Sequence, residues 1–568
     1  MLMNWLNKCD TSHACLRDSG RLEQGRSSIP TRLIDVGNDS HASPVRLVLS
    51  QDLSPSFRYL TLSHSWGSSE VAMTVQLTRK NKSSFMTSIG VEKLPRTFAD
   101  TILLARHLGV CYLWIDSLCI VQDDEMDWKT EAAKMAEVYA NAYVNVAATA
   151  SSNSSQGLFK DRNPMTTKHC VATVREGHSL IPAGTYQCFN AREWMCQISR
   201  APLSKRAWVY QEWLLSPRIL HFANDQIFWE CRETHASETF QDRIPARCEF
   251  GLRRFDLEST KEVTKRKFLE IWDTIVQEYT ARDLTYVSDK LTALSGLART
   301  LHRRHPEAGK YVGGMWAKYL IDQLAWSASC KAHRSNIYRA PSWSWASMDG
   351  SISPNFNWRL VSRDHRNRAY RSPITILSID ASFTDDLFDS MIKATLKVEA
   401  PLLKITIEAG EGATGDEDDD KNREPIQMMY NTVAGTLSNE IERPRPFGDR
   451  DFRLLLSAKN HPFFMREGSR GRLDDDRDIL AEPELYFMPL LIYNDKLPSF
   501  GDEEWPVVDE IIGLILEPTG AMEGQYKRCG TCTVEEADIE LLLCDLVTSN
   551  LARKFKSLYI YNFKFYLI

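Results

Sequence analysis

The sequence contains no run of about eighteen apolar residues, so no membrane-spanning helix is expected. The opening, MLMNWLNKCD, has no basic stretch followed by an apolar core, and no secretory leader is expected. There is no GxxxxGK[ST], HExxH or GxSxG spacing, which disfavours a P-loop NTPase, a zincin and a serine hydrolase. No long basic run occurs, and 69 Lys plus Arg stand against 75 Asp plus Glu, a net charge of −6. Partnership with nucleic acid is therefore not expected. Thirteen cysteines scattered over 568 residues do not make a disulfide framework. Reduced thiols and a cytoplasmic location are the expectation.

Aromatic residues are plentiful. Fifteen tryptophans favour large aromatic cores or aromatic-lined clefts. From residue 46 to 150 strand and helix patterns alternate. SFRYLTLSHSWG reads as a strand broken at Gly67, and LPRTFADTILLARHLG as a helix with Gly109 just past its end. VCYLWIDSLCIV reads as the next strand, DEMDWKTEAAKMAEVYANA as the next helix and YVNVAATAS as a third strand. That order predicts a parallel sheet with packed helices, and ligands in such sheets sit beyond the carboxyl ends of the strands. Ser63-His64-Ser65-Trp66-Gly67 and Asp116 both fall near such ends. A carboxylate in an apolar strand costs several kcal/mol unless it is paired or reaches solvent, so Asp116 requires a reason.

The rest of the chain divides by pattern. Residues 1–45 form a lead-in, 46–235 an α/β domain, 236–350 a mainly helical region and 351–568 a β-rich region. Residues 205–231 read as a short helix and a hairpin. The acidic stretch 409–425 has almost no apolar residues and is expected to be a disordered loop. The final SLYIYNFKFYLI fits an edge strand, a gene-model end or a partner contact equally.

Several motifs then agree in order and spacing: Ser63 to Gly67, Leu94-Pro95-Arg96-Thr97-Phe98-Ala99-Asp100, Tyr112 to Ile120 and Gln122 to Glu131. Downstream stand Trp208, Gln211-Glu212, Arg218, FWEC at 228–231, YVSDKLTALSGLA and APSWSWAS. Together these resemble the fungal heterokaryon incompatibility (HET) domain. One departure is His64-Ser65 where that pattern usually has Tyr-Cys, which removes a thiol from the strand end. The resemblance implies a role in self/non-self recognition, innate immunity and programmed cell death in filamentous fungi. It also implies a remote likeness to the flavodoxin-like TIR (Toll/interleukin-1-receptor) domain, some members of which hydrolyse NAD. Trp128-Lys129-Thr130-Glu131 parallels a TIR signature.

Under that resemblance Glu131 is the candidate catalytic residue, a carboxylate to hold ribose hydroxyls and stabilise oxocarbenium-like charge. A solvated helix glutamate is the competing reading. Ser63, His64, Ser65, Trp66, Gly67, Asp116, Asp127, Trp128, Glu212 and Arg218 are candidates for binding ligand or organising the site. Asp116 reads rather as a brace, Asp127 as a residue that caps or charges the helix start, and Glu212 with Arg218 as either a pyrophosphate clamp with its neighbour or an internal ion pair. Cys9-x3-His13-x-Cys15 offers three metal-type ligands where a structural zinc wants four; Cys231 would join them only through folding, so no metal is expected. Cys529-x-x-Cys532 sits in a hairpin pattern, which argues against a redox role. No cofactor is expected beyond NAD as a candidate substrate. Partners reduce to self-association or an unidentified sensor protein. Two mechanisms follow: an NAD-hydrolysing enzyme, and a non-catalytic adaptor that self-associates.

Overall fold

The computed structural model describes residues 1–15, 29–37, 44–54, 56–67, 75–168, 170–176, 181–245, 263–329, 331–354, 369–383, 391–400 and 402–409. Beyond these it describes 452–458, 461–464, 470–474, 485–494, 508–522, 524–535 and 563–567. The acidic stretch, apart from its first residue, lies outside the described residues. The chain forms two compact units, residues 1–262 with 282–305 and residues 263–281 with 306–568. The units divide the expected helical region between them. The lead-in is part of the first unit, because its strand pairs into the central sheet.

In the first unit an eight-stranded sheet runs in the order β10-β9-β8-β5-β3-β4-β1-β2. Its strands are β1 Arg32–Asp35, β2 Arg46–Leu49, β3 Tyr59–Ser63, β4 Tyr112–Trp114, β5 Val144–Ala147, β8 Arg218–Phe222, β9 Ile227–Cys231 and β10 His235–Ser237. A separate hairpin, β6 Cys170–Val174 and β7 Gly184–Cys188, stands apart from it. The sheet is mixed, which corrects the all-parallel expectation. The four central strands β8-β5-β3-β4 are parallel, while β1 and β2 on one flank and β9 and β10 on the other are added by antiparallel pairings. The crossover pattern revealed the centre; the flanks come from hairpins and from the lead-in, which carry no crossover helix.

Both faces of β3 are covered, and all five of its residues are buried, as a central parallel strand requires. Helices of this unit are α1 Leu2–Ser12, α2 Lys82–Thr87, α3 Arg96–His107, α4 Asp116–Cys119, α5 Glu125–Ala140, α6 Ala207–Leu215 and, further along the chain, Thr292–Arg304. Helix α3 ends where Gly109 takes φ +69°, a conformation glycine adopts without strain. Asp124 caps α5 by accepting from the amides of Met126 and Asp127, so the cap is Asp124, and Asp127 stands as an acid in the first turn. The Gly296 amide donates to Gln211 (2.9 Å), and a Cβ on Gly296 would come within 2.4 Å of Ala136, which is how close these helices pack.

A second correction concerns the length of β4, while the expected place of Asp116 at its carboxyl end holds. Strand β4 stops at Trp114, and Asp116 begins the one-turn helix α4. The carboxylate therefore stands at a strand end, about a fifth exposed, and not inside a buried strand.

The second unit contains α7, Lys265–Thr280, whose Phe268, Leu269, Trp272, Ile275, Val276 and Tyr279 form one buried stripe. The indoles of Trp272 and Trp345 both donate to the Gly314 carbonyl (3.1 and 2.9 Å). Gly314 takes φ +88°, and a Cβ there would lie 2.7 Å from the Trp345 ring. The C-terminal part is an eleven-stranded sheet, antiparallel except where Gln525–Glu535 meets Phe563–Leu567. Cys529 and Cys532 lie within one of its strands. Among the described residues no helix is long and apolar enough to cross a membrane.

Candidate functional site

The connections fix where a site can form. From β3 the chain moves one way across the sheet to β4 through α3. From β4 through α5 to β5, and on through α6 to β8, it moves the other way. The neighbours β3 and β5 thus send their connections in opposite directions, and a crevice opens between such strands at their carboxyl ends. Ser63 and Ala147 are register partners there.

A buried polar cluster fills this position. The Asn145 amide donates to Ser63 Oγ (3.0 Å) and accepts from Thr61 Oγ1 (3.1 Å). The Ser63 hydroxyl donates to Glu212 Oε2, from α6. Burial pushes the Glu212 carboxyl up to about 7, against the opposing hydrogen bond from Ser63 and the charge of Arg206. The Tyr139 hydroxyl, bonded to Glu212 as well, is held well above its ordinary value by burial and then by the Glu212 charge. Beside the cluster lies a cavity of about 20 Å³, lined among others by Ser63, Asn145, Thr149, His221 and Arg282. A space of that size holds about one water. His221 joins Thr149 (3.3 Å) to the buried Glu230 (3.1 Å).

A second group ties β3 to β4. The Trp66 indole donates to Asp116 Oδ2 (2.9 Å), and Asp116 Oδ1 accepts from the Ser117 amide (2.6 Å). His64 Nδ1 stands 3.8 Å from the same carboxylate, and burial holds the imidazole below its ordinary pKa although Asp116 opposes this. Its ring packs edge-on against Phe98 (4.9 Å). Arg206 donates to the His64 carbonyl. Ser65 is half-buried, and Gly67 leaves the strand end with φ +86°.

Glu131 falls elsewhere along this edge. It is 2% exposed, so it is not a solvated helix glutamate. Its Oε1 accepts from Thr31 Oγ1 (2.5 Å) and Lys134 Nζ (3.2 Å), just before β1, on the far side of β4 from β3. Asp127 bonds Arg32 (2.5 Å) and the Val121 amide (2.8 Å) in the same region. Trp128 stands half-buried on α5.

Arg218 does not accompany Glu212. It opens β8, three residues before His221, the register partner of Ala147, so it lies about 10 Å away at the opposite, amino edge of the sheet. There its Nη2 meets Asp10 (2.7 Å) and its guanidinium stands 5.2 Å over the Tyr143 ring. The internal Glu212–Arg218 ion pair and the clamp at the crevice are both corrected by this placement. At the same amino edge the ligand atoms of Cys9, His13, Cys15 and Cys231 all lie within 4.8 Å of one another. Hydrogen bonds to Cys15 and Cys231 raise the Cys9 thiol, while those from Cys231 and Cys9 lower Cys15.

Asn145 and Arg206 were missed by the sequence reading. Asn145 had a legible signal: a lone amide in the apolar strand YVNVAATAS poses the question that Asp116 posed. Arg206 had none.

No curated protein and no solved structure matches the chain. Residues 59–212, which open at the first residue of β3 and close at Glu212, match the family model described as heterokaryon incompatibility protein (HET). The chain therefore carries a HET domain over residues 59–212, and the crevice cluster from Ser63 to Glu212 lies within it.

Proposed function

We propose that this protein is an effector of heterokaryon incompatibility in fungal cytoplasm, which answers non-self recognition with growth arrest or cell death, and that its HET domain acts as a non-catalytic adaptor through self-association or a partner protein. The observation that supports the adaptor reading is the closed crevice. At the β3/β5 switch point the polar groups bond one another, and the cavity beside them, about 20 Å³, takes a water and not a nicotinamide ring.

A second reading is NAD hydrolysis at a TIR-like crevice. The Ser63–Glu212 pair favours it, since a carboxyl that titrates at about 7 is suited to proton transfer at neutral pH. In this reading Glu212, at the switch point, is a better carboxylate than Glu131, whose Oε1 is held by Thr31 and Lys134.

The test is expression of the full chain, Glu131→Ala and Glu212→Gln in a filamentous fungus, with viability and cellular NAD followed together. The adaptor reading expects growth arrest at unchanged NAD, persisting in Glu131→Ala. A fall in NAD that accompanies arrest and is abolished by Glu212→Gln overturns it in favour of hydrolysis.

A further inference from the structure

The amino edge of the sheet carries the second buried cluster, outside the segment matched as HET domain. Its geometry follows from three local facts. Cys9 lies in the last turn of α1, and four residues on, His13 follows it on the same side. The helix stops at Ser12, and His13 takes an extended conformation (φ −108°, ψ 153°), which turns the chain so that Cys15 comes back toward Cys9. Cys231 ends β9, which runs antiparallel to β8 and so delivers it to the edge where β8 begins. Trp5 of α1 stacks on Trp229 of β9 (6.3 Å) and fixes the helix over that strand.

We propose that Cys9, His13, Cys15 and Cys231 form a structural zinc site that pins α1 to the sheet. A tetrahedral ion about 2.3 Å from each sulfur needs edges of about 3.8 Å between sulfurs and slightly less to nitrogen. The four ligand atoms lie within 4.8 Å of one another, and Cys231 Sγ is 3.4 Å from His13 Nδ1, so the cage needs only a small contraction. Three sulfurs and one imidazole with no open position are the donor set of a closed zinc site. Cys9, Cys15 and Cys231 are each 1% exposed or less. The backbone amides of Arg232 and Glu233 donate to Cys15 and Cys231, as amides after a ligating cysteine do to support thiolate sulfur.

Charge supplies an independent argument. Three thiolates and one dication leave one negative charge. Arg218, the register partner of Cys231, is fully buried and makes one ion pair, to Asp10; its Nε and Nη1 have no hydrogen-bond partner among the described residues. A guanidinium with donors to spare is costly beside neutral thiols and well placed beside an anionic zinc–thiolate cage.

The experiment uses the full chain, purified under reducing conditions without added metal. Elemental analysis is expected to find one zinc per chain, released by a mercurial thiol reagent. Refolding with cobalt is expected to give the thiolate charge-transfer and tetrahedral d–d bands. Cys231→Ser is expected to weaken metal retention at least tenfold. Because that variant risks misfolding, His13→Cys is the second probe: a four-sulfur site is expected to retain zinc and to strengthen the cobalt charge-transfer band. Reduced, folded protein that contains no zinc and gives no cobalt–thiolate band overturns the proposal. So does metal retained equally by the wild type and Cys231→Ser, or a disulfide among the three cysteines found by mass.

Discussion

The two edges of one sheet treat buried charge differently. At the carboxyl edge Ser63, Asn145 and Glu212 bond one another, and the carboxyl keeps its proton up to about pH 7. Within this cluster charge is avoided. At the amino edge, some three residues back along the same strands, Arg218 remains a buried cation with two nitrogens unpartnered among the described residues. Charge is retained there, and Asp10 answers only one of the three guanidinium nitrogens. An edge that neutralises itself with a proton responds to pH. An edge that holds permanent charge responds to whatever supplies the opposite sign.

The largest effect at a single pH is expected at the amino edge. Arg218→Met keeps the apolar stem and removes the charge that faces Asp10 and the cysteine cluster. Removing one partner of a fully buried pair costs about 3–5 kcal/mol, but Asp10 is a quarter exposed and water answers part of its charge, so about 2–3 kcal/mol is expected. Thermal and urea unfolding of the full chain are the measurements, with zinc content read in parallel. A cost under about 1 kcal/mol, the usual value of a surface pair, breaks the comparison, because Arg218 is then not a retained charge.

The next effect belongs to the carboxyl edge. Glu212 rises from an ordinary 4.5 to about 7 in the fold. Between those values the folded state holds a proton that the unfolded state has lost, so stability falls as pH rises. The fall approaches about 3 kcal/mol above pH 7. His64 acts the other way: held below 6.5 by burial, it costs stability as pH falls below that value. The difference between the wild type and Glu212→Gln is therefore the quantity to measure, by urea unfolding from pH 4.5 to 8. The variant is expected to gain on the wild type as pH rises. A difference that stays flat with pH means the carboxylate is already ionised in the fold.

The contrast also explains what the sequence could reveal. The β3-α3-β4-α5-β5 core is legible because its signals are local: apolar runs, the Gly109 stop and the acidic start of α5. Strand β4 is overread by several residues because the apolar residues after Asp116 belong to a buried helix turn, and periodicity in so short a run does not separate the two. The site is less legible because its partners are distant. Ser63 and Glu212 are 149 residues apart, and His13 and Cys231 are 218 apart. Glu131 drew attention through its neighbour Trp128, yet the fold gives it to Thr31, at the start of the antiparallel β1, a strand that lies in the lead-in. Three ligands of the amino-edge cluster were visible in Cys9-x3-His13-x-Cys15. The fourth arrives only because β8 and β9 form a hairpin.

The smallest effect tests how the carboxyl edge is held together. Trp66→Phe keeps an aromatic ring beside His64 and removes one N–H donor from Asp116. A hydrogen bond to a charged group contributes about 1.5–3 kcal/mol, but the Asp116 side chain is 21% exposed, so water replaces part of it and about 1 kcal/mol is expected. Asp116→Asn alone also loses the charge that faces His64, and the double variant separates the two losses. A positive coupling between Trp66 and Asp116 identifies their bond as the tie between the β3 and β4 ends. Additive losses place that tie instead in the backbone pairing of the two strands, and the carboxyl edge is then organised from the sheet outward and not by its side chains.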